Sequence, residues 1–400
     1  MKVALLTGDY PPYSGGGVGS LSYELARGLL RAGVDVVVIT RSARTTHVVR
    51  REKYREKYNV YYLASPPIPP KDVWYYTLRM IDVRKILNEE RPDVIHDLSA
   101  FTAFQPWITK LAPTVYSVQG SPQLSIIRRA LGLNDALRDI LFEISHRLQP
   151  TFMGLIKRPE IRVWVYVSKF VMLDSLMRIQ DEGLRRELMG RSMVVYNGVD
   201  VKSLRAIRDE VVKSEGVGEG SVVLIGRLME YKGVKFLVRA FKHVVDELKD
   251  TVLHIVGDGP IFNEVRGLVE RLGLKGRVIM HGALPRDRAM RILARSTLLT
   301  HPSLYESFGM VIAEAYAMGK PVVAHRAGYA KELVEKPRAG LAINVINAKE
   351  YAEALIALLT DKWLYKGLSQ NASAFAEERL SVDAMVRGYV DAYRRAVNHV

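Results

Sequence analysis

Short runs of β-branched and other apolar residues alternate along the chain with longer stretches in which apolar side chains recur every three or four positions. The first pattern suits strands buried on both faces and the second suits helices that cover them, so together they predict layers built on parallel sheets. In the first half, residues 3–7, 34–40, 60–63, 93–96, 114–118 and 162–167 read as strands, with helical stretches at 20–32, 73–88 and 168–177. The second half restarts the alternation with strands at 221–225, 251–256, 277–281, 296–300 and 321–324. Helical patterns follow over 348–359 and 361–396, the latter broken near Leu380. Between the halves, 197–220 is polar and carries Asn-Gly, Gly-Val-Gly and Gly-Ser turn signals, which predicts a hinge there. Two doubly wound sheets facing each other would bring the carboxyl ends of their strands to one cleft, where such sheets bind ligands.

Composition narrows the function classes. A chain of 400 residues exceeds one ordinary core and fits two domains. With no cysteine there is no disulfide scaffold, thiolate zinc site, iron–sulfur cluster or cysteine nucleophile. The net charge of +15 is spread evenly, +8 over residues 1–200 and +7 over 201–400, so it is neither a tail nor an arm. It reads as a polyanionic partner, as a site for anionic small molecules, or as a basic surface with no specific partner. No window approaches the ~18 consecutive apolar residues of a membrane span. The start, Met1-Lys2-Val3-Ala4-Leu5-Leu6-Thr7-Gly8-Asp9, lacks a signal-peptide core, and a cytoplasmic protein is expected. Few asparagines and glutamines, beside the absence of cysteine, point toward a thermophilic source.

Three segments carry candidate chemistry. Gly8-Asp9-Tyr10-Pro11-Pro12-Tyr13-Ser14-Gly15-Gly16-Gly17-Val18-Gly19 runs from the first strand into a helix, and its amides either cradle a phosphate or make a tight turn. The dinucleotide fingerprint is absent, because it needs a glycine where Ser20 stands. The strand 221–225 ends in Gly226-Arg227, with Lys232-Gly233 shortly after. Arg227 and Lys232 either hold a diphosphate, one by its fork and one as a point charge, or belong to a solvated basic turn. In 302–323, Glu306 lies in a loop and Glu314 lies eight residues on, in the helix that starts near Gly309. Among Val311, Ile312, Ala313 and Ala315, an ionised Glu314 needs a partner such as a ligand hydroxyl, unless it is an exposed helix position and Glu306 a helix-start acid.

In this order the segments resemble the retaining nucleotide-sugar glycosyltransferases of the GT-B fold, family 4, also termed glycosyl transferases group 1. The likeness runs over nearly the whole chain and includes Asn197-Gly198-Val199-Asp200 and Gly257-Asp258-Gly259-Pro260. It implies an α/β fold of two doubly wound, Rossmann-like parallel-sheet domains facing across a cleft. The N-terminal, acceptor-side domain spans 1–200 and the donor-binding domain 201–380, with a last helix at about 381–400 packing back on the first. By the same resemblance, Arg227 and Lys232 bind the donor diphosphate, which Gly16 and Gly17 approach from the N-terminal domain. Glu306 accepts hydroxyls of the donor sugar beside the Phe308-Gly309-Met310 backbone. Glu314 holds the ribose, backbone near Leu284 meets the base, and Asp258 stands at the rim. The implied reaction moves a hexosyl unit from a UDP-, GDP- or ADP-sugar to a sugar or lipid-linked acceptor with retention. The absence of any Asp-x-Asp argues against a metal-dependent class and for basic side chains in place of a metal or cofactor.

Departures from the family pattern also carry expectations. Similar enzymes place a histidine after the strand 114–118, where this chain has Gln119, which donates a hydrogen bond but takes no proton near pH 7. Gln119 is therefore grouped with Arg227, Lys232 and Glu306 around the reacting sugar, and His96 is read either as its compensation or as structural. Tyr329 replaces a second glycine after Gly328, with an expected change in acceptor or sugar contacts. Ser14 stands where glycogen-synthase-like members carry a lysine, which weakens an α-glucan acceptor. Residues 121–169 carry eight basic and four acidic residues among apolar clusters, and read as the acceptor face against an anionic membrane surface or as core helices with a basic outer face. Rival functions are a GT-B fold epimerase or phosphorylase, or a non-catalytic binder of sugar nucleotides or nucleic acid. No nucleic-acid motif or aromatic basic stripe supports nucleic acid as a partner.

Overall fold

The structure is a computed structural model that describes residues 1–12, 17–42, 49–54, 58–64, 79–99, 101–104, 106–120, 152–216 and 220–398. Among them the chain divides into two compact units, one holding the residues up to Gly198 together with the C-terminal helix, the other Val199–Ser381. The first unit contains the strands β1 (Lys2–Thr7), β2 (Asp35–Ser42), β3 (Val49–Tyr54), β4 (Tyr58–Ala64), β5 (Val94–Asp97), β6 (Thr114–Val118), β7 (Ile161–Tyr166) and β8 (Ser192–Val194). They form one sheet in the order β3-β4-β2-β1-β5-β6-β7-β8, with β3 antiparallel to β4 and every other pair parallel.

Alternation along the central strands builds two cores at once. Val3, Leu5, Val36 and Val38 face a cluster that includes Met385, Val386, Tyr389 and Tyr393 of the C-terminal helix Val382–Asn398. Ala4, Leu6, Val37 and Ile39 face the opposite way, onto Val83, Ile86 and Leu87 of the helix Met80–Glu90. This two-sided burial is why the central strands are continuous apolar runs. The edge strands are different: Val49–Tyr54 reads Val-Arg-Arg-Glu-Lys-Tyr, and β8 has only three residues. Charge and shortness protect a sheet edge from further pairing and also hide the strand from an apolar-run search.

The second unit contains β9 (Ser221–Ile225), β10 (Val252–Val256), β11 (Val278–Gly282), β12 (Leu298–His301), β13 (Val322–His325) and β14 (Gly340–Ile343). Its sheet, in the order β11-β10-β9-β12-β13-β14, is parallel throughout. The chain moves outward from β9 to β11, then restarts beside β9 with β12. That reversal is a topological switch point, and ligands bind outside the carboxyl ends of strands at such points. The loops leaving β9 and β12 carry Arg227, Lys232 and Glu306.

One expectation is narrowed. Within the stretch 197–220 read as a hinge, the division between the units falls at Gly198–Val199, and Val201–Glu215 is a helix of the second unit with Val201, Leu204 and Val211 buried. Asp200 caps it by accepting from the Ser203 amide at 3.0 Å, and Gly216 closes it. A narrow apolar stripe on a mostly charged helix looks like a polar linker when hydrophobicity is averaged over a window.

Candidate functional site

The loops after β9, β10 and β11 are laced by backbone hydrogen bonds. The Gly226 amide donates to Val256 O at 3.0 Å, Leu228 N to Asp258 O at 2.9 Å, and Gly257 N to Gly282 O at 2.8 Å. The lacing brings backbones so close that a Cβ on Gly257, at φ 140°, would stand 1.9 Å from Gly226 O. Asp258 shapes its own turn, accepting from the Gly259 amide at 2.7 Å. Arg227 projects from this platform, exposed and without an ion pair among the described residues. Leu284 is half-buried in the loop after β11, two residues before Arg286.

The β9 and β12 loops meet at Gly233. Its left-handed backbone (φ 68°) ends the short turn Glu230–Lys232, and a Cβ there would lie 2.3 Å from Pro302 O. Leu304 N donates to Tyr231 O at 2.8 Å, fixing the crossing. Lys232 Nζ is thereby delivered to Glu306 Oε2 as an ion pair. His301, last residue of β12, places Nε2 3.3 Å from the same oxygen. Burial alone would raise the Glu306 pKa, yet His301 and the Lys232 ammonium draw it down to about 2. Burial pushes the His301 pKa below its usual value, Lys232 adds to this, and Glu306 opposes it only in part. Near pH 7 the site therefore holds an ionised carboxylate, an ammonium and a neutral imidazole.

Beyond Glu306 the chain enters the helix Met310–Ala317 through Gly309, where a Cβ would touch Glu306 Cγ at 3.4 Å. Phe308 is buried and Met310 half-buried at this entry. Glu314 is buried rather than exposed, and its partner is the Arg286 guanidinium. Burial raises the Glu314 pKa, and Arg286 offsets this only partly. Tyr329 differs from expectation: its ring is fully buried, and its hydroxyl donates to His301 O at 3.2 Å and Ser303 O at 3.3 Å. It acts on the site from behind, by bracing the end of β12 at His301 and the loop that follows it.

In the first unit, Gln119 follows β6 with its Oε1 accepting from Asn197 Nδ2 at 3.2 Å, and it also hydrogen-bonds the Tyr389 hydroxyl. Gly17 opens the first helix, Gly17–Arg31; Gly16, Ser14 and residues 121–151 of the basic stretch lie outside the described residues. His96 does not compensate for Gln119. It is fully buried, with Nδ1 2.8 Å from Tyr393 Oη and Nε2 2.7 Å from Ser117 Oγ, and burial lowers its pKa to about 3. A neutral ring so enclosed is a structural pin. Among the described residues no three or more His, Cys, Asp or Glu are grouped to hold a metal, and no helix is long and apolar enough to cross a membrane.

These histidines predict an acid sensitivity. His96, His254 and His301 are all held below their usual pKa by burial, His254 at about 4 with His281 and Arg295 adding to the effect. The unfolded chain binds these protons near pH 6.5 and the native protein does not, so stability is complete above about 6.5 and falls below it, by up to ~1.4 kcal/mol per pH unit for each of the buried His96 and His301 and by less for the half-buried, solvent-screened His254. Glu306, with its lowered pKa, contributes stability that is lost only below about pH 4.3. The urea midpoint is therefore expected to fall clearly from pH 7 to pH 5; an unchanged midpoint contradicts this reading.

Two doubly wound α/β units, the second with a cation–carboxylate pair at its switch point, have the architecture of solved GT-B glycosyltransferases. Sucrose-phosphate synthase from Thermosynechococcus elongatus is similar with a TM-score of 0.76 at 20% identity, covering 98% of both chains. HepE of Anabaena, solved in complex with UDP, gives 0.68 at 20% identity, over 98% of this chain and 100% of that one. In sequence, an uncharacterized glycosyltransferase of Methanocaldococcus jannaschii is 25% identical over 408 residues, 99% of each chain. The Glycosyl transferases group 1 family model matches residues 208–375, and the Glycosyltransferase Family 4 model matches 15–171. With a family model matched in each half, the chain belongs to the group 1, family 4 glycosyltransferases.

Sequence reasoning missed two members of the site. His301 carried a usable signal, a histidine at a strand end five residues before Glu306. Arg286 carried none, because its pairing with Glu314 arises from how the β11 loop lies against the helix Met310–Ala317.

Proposed function

We propose that this glycosyltransferase moves a hexosyl unit from a nucleoside-diphosphate sugar to a sugar or lipid-linked acceptor, with retention of anomeric configuration. The observation that carries the reading is the Lys232–Glu306 pair at the carboxyl ends of β9 and β12, beside an exposed Arg227. As the sugar leaves, negative charge grows on the diphosphate, and the Arg227 fork and Lys232 ammonium are positioned to stabilise it. Glu306, ionised across the working range, accepts sugar hydroxyls. Glu314, steadied by Arg286, accepts those of the ribose, with the Leu284 backbone toward the base and the Phe308-Gly309-Met310 backbone beside the sugar.

That HepE was solved with UDP and with UDP-glucose supports testing uridine nucleotides first. A thermal-shift screen of UDP, GDP, ADP and their sugars is expected to single out one nucleotide, since a ligand at 100 times its Kd stabilises by ~2.7 kcal/mol. A screen in which none shifts the transition contradicts the proposal. Because Arg227 and Lys232 supply positive charge without a metal, transfer is expected to persist within about twofold in excess chelator. Loss of transfer that added Mg²⁺ or Mn²⁺ restores would show that a metal is required.

A further inference from the structure

Lys232 Nζ and His301 Nε2 both approach Oε2 of Glu306. His301 has little room to drift, with 5% of its surface exposed. The Tyr329 ring meets it edge-on at 5.7 Å, and the Tyr329 hydroxyl holds its carbonyl oxygen. The next residue, Pro302, is locked against Gly233. Yet Nε2 is buried without an aligned hydrogen bond. Leaving a polar atom buried and unsatisfied is costly, so one aimed at a carboxylate in a ligand site calls for a function.

An ionised Glu306 selects the tautomer. A bare nitrogen lone pair facing Oε2 would be repelled, so the proton sits on Nε2. The other titratable groups packed here are Lys232 and the phenols of Tyr329 and Tyr351. Burial raises both phenols, which therefore stay neutral. Lys232 also faces two anions once a diphosphate is present, and it cannot hold both at full strength. His301, which is neutral and fixed, has no such second claim on it.

We infer that His301 is a positioning residue for transfer: its Nε2–H anchors Oε2 of Glu306 while Lys232 turns to the diphosphate, so that Oε1 is presented to a hydroxyl of the donor sugar. This rests on the proposed function. The contact at 3.3 Å then tightens into a hydrogen bond as Lys232 shifts its charge to the phosphates.

The test compares His301→Leu, which fills the space without a donor, with His301→Gln, whose side-chain amide reaches about where Nε2 stands. Steady-state transfer is measured from about pH 3 to 9, a range that reaches the carboxylate titration of Glu306, and nucleoside-diphosphate binding is followed by thermal shift. His301→Leu should lower kcat/KM for the nucleotide sugar about 10–100-fold, as for a lost hydrogen bond to a charged group. The acid limb of the profile should move toward neutrality, because Glu306 loses one of the groups that keep it ionised. Affinity for the bare nucleoside diphosphate should stay within about twofold, since that ligand has no sugar hydroxyl for Glu306 to accept. His301→Gln should restore most of the rate and the acid limb. Overturning results are an unmoved acid limb and rate in His301→Leu, or a His301→Gln protein as impaired as His301→Leu. A wild-type protein that binds no nucleotide sugar removes the functional reading and this inference with it. Binding by the wild type with an unaffected His301→Leu removes the inference alone.

Discussion

Replacing Lys232 with alanine is expected to lower the transfer rate by about 10²–10³-fold or more, the usual cost of removing a group aimed at developing charge. The ammonium is delivered by three local devices: the turn Glu230–Lys232, the left-handed Gly233, and the Tyr231–Leu304 backbone bond that ties the β9 loop to the β12 loop. None of them depends on the lysine side chain, so the loop should keep its course. The loss has a second component. Without Lys232, Glu306 keeps only the His301 contact, and its carboxyl should titrate closer to the usual range. The cost in stability should stay near ~1–2 kcal/mol, because Lys232 and Glu306 retain 18% and 21% of their side-chain surface in solvent. Initial rates with labelled nucleotide sugar, beside a circular dichroism melt, separate the two effects. A variant with near-wild-type rates would show that Lys232 is not at the reacting centre.

The second large effect concerns folding. Gly257→Ala is expected to destabilise the protein by about 3–5 kcal/mol, or to abolish soluble expression, because the clash is with backbone and not with a movable side chain. The new Cβ would stand 1.9 Å from Gly226 O, and φ at residue 257 is 140°. Relief would require the loop holding Arg227 to separate from the one holding Asp258, breaking the lacing that builds the platform. Gly273→Ala is the control, with φ 67° but nothing within 4 Å of the added Cβ, and it should cost only ~1 kcal/mol. Urea midpoints of the two variants give the comparison. Equal losses would show that backbone conformation alone, and not loop packing, sets the cost.

The legibility of this molecule in its sequence follows burial. The strands read at 114–118 and 221–225 coincide with Thr114–Val118 and Ser221–Ile225 because both lie inside sheets covered on two faces. The charged edge strand β3 and the three-residue β8 carried no such run, and the helix Val201–Glu215 hid a narrow apolar stripe among charges. The candidate site was legible where its residues are close in sequence, as in Glu306 and the Phe308-Gly309-Met310 turn. It was illegible where the fold joins distant segments. Arg286 with Glu314, Tyr329 behind His301, and the burial of His96 against Tyr393 depend on which loop or helix lies against which. Such partnerships leave no periodic trace in the chain.

The central claim, that the strand ends of the second unit hold a nucleotide sugar through Lys232 and Glu306, is most directly tested by calorimetric titration. A nucleoside diphosphate and its sugar conjugate are each titrated into the wild type, Lys232→Ala and Glu306→Ala. Lys232→Ala should weaken both ligands, while Glu306→Ala should weaken only the sugar conjugate and leave the bare diphosphate nearly unchanged. Equal affinities across the three proteins, or loss of both ligands in Glu306→Ala with none in Lys232→Ala, would contradict the account.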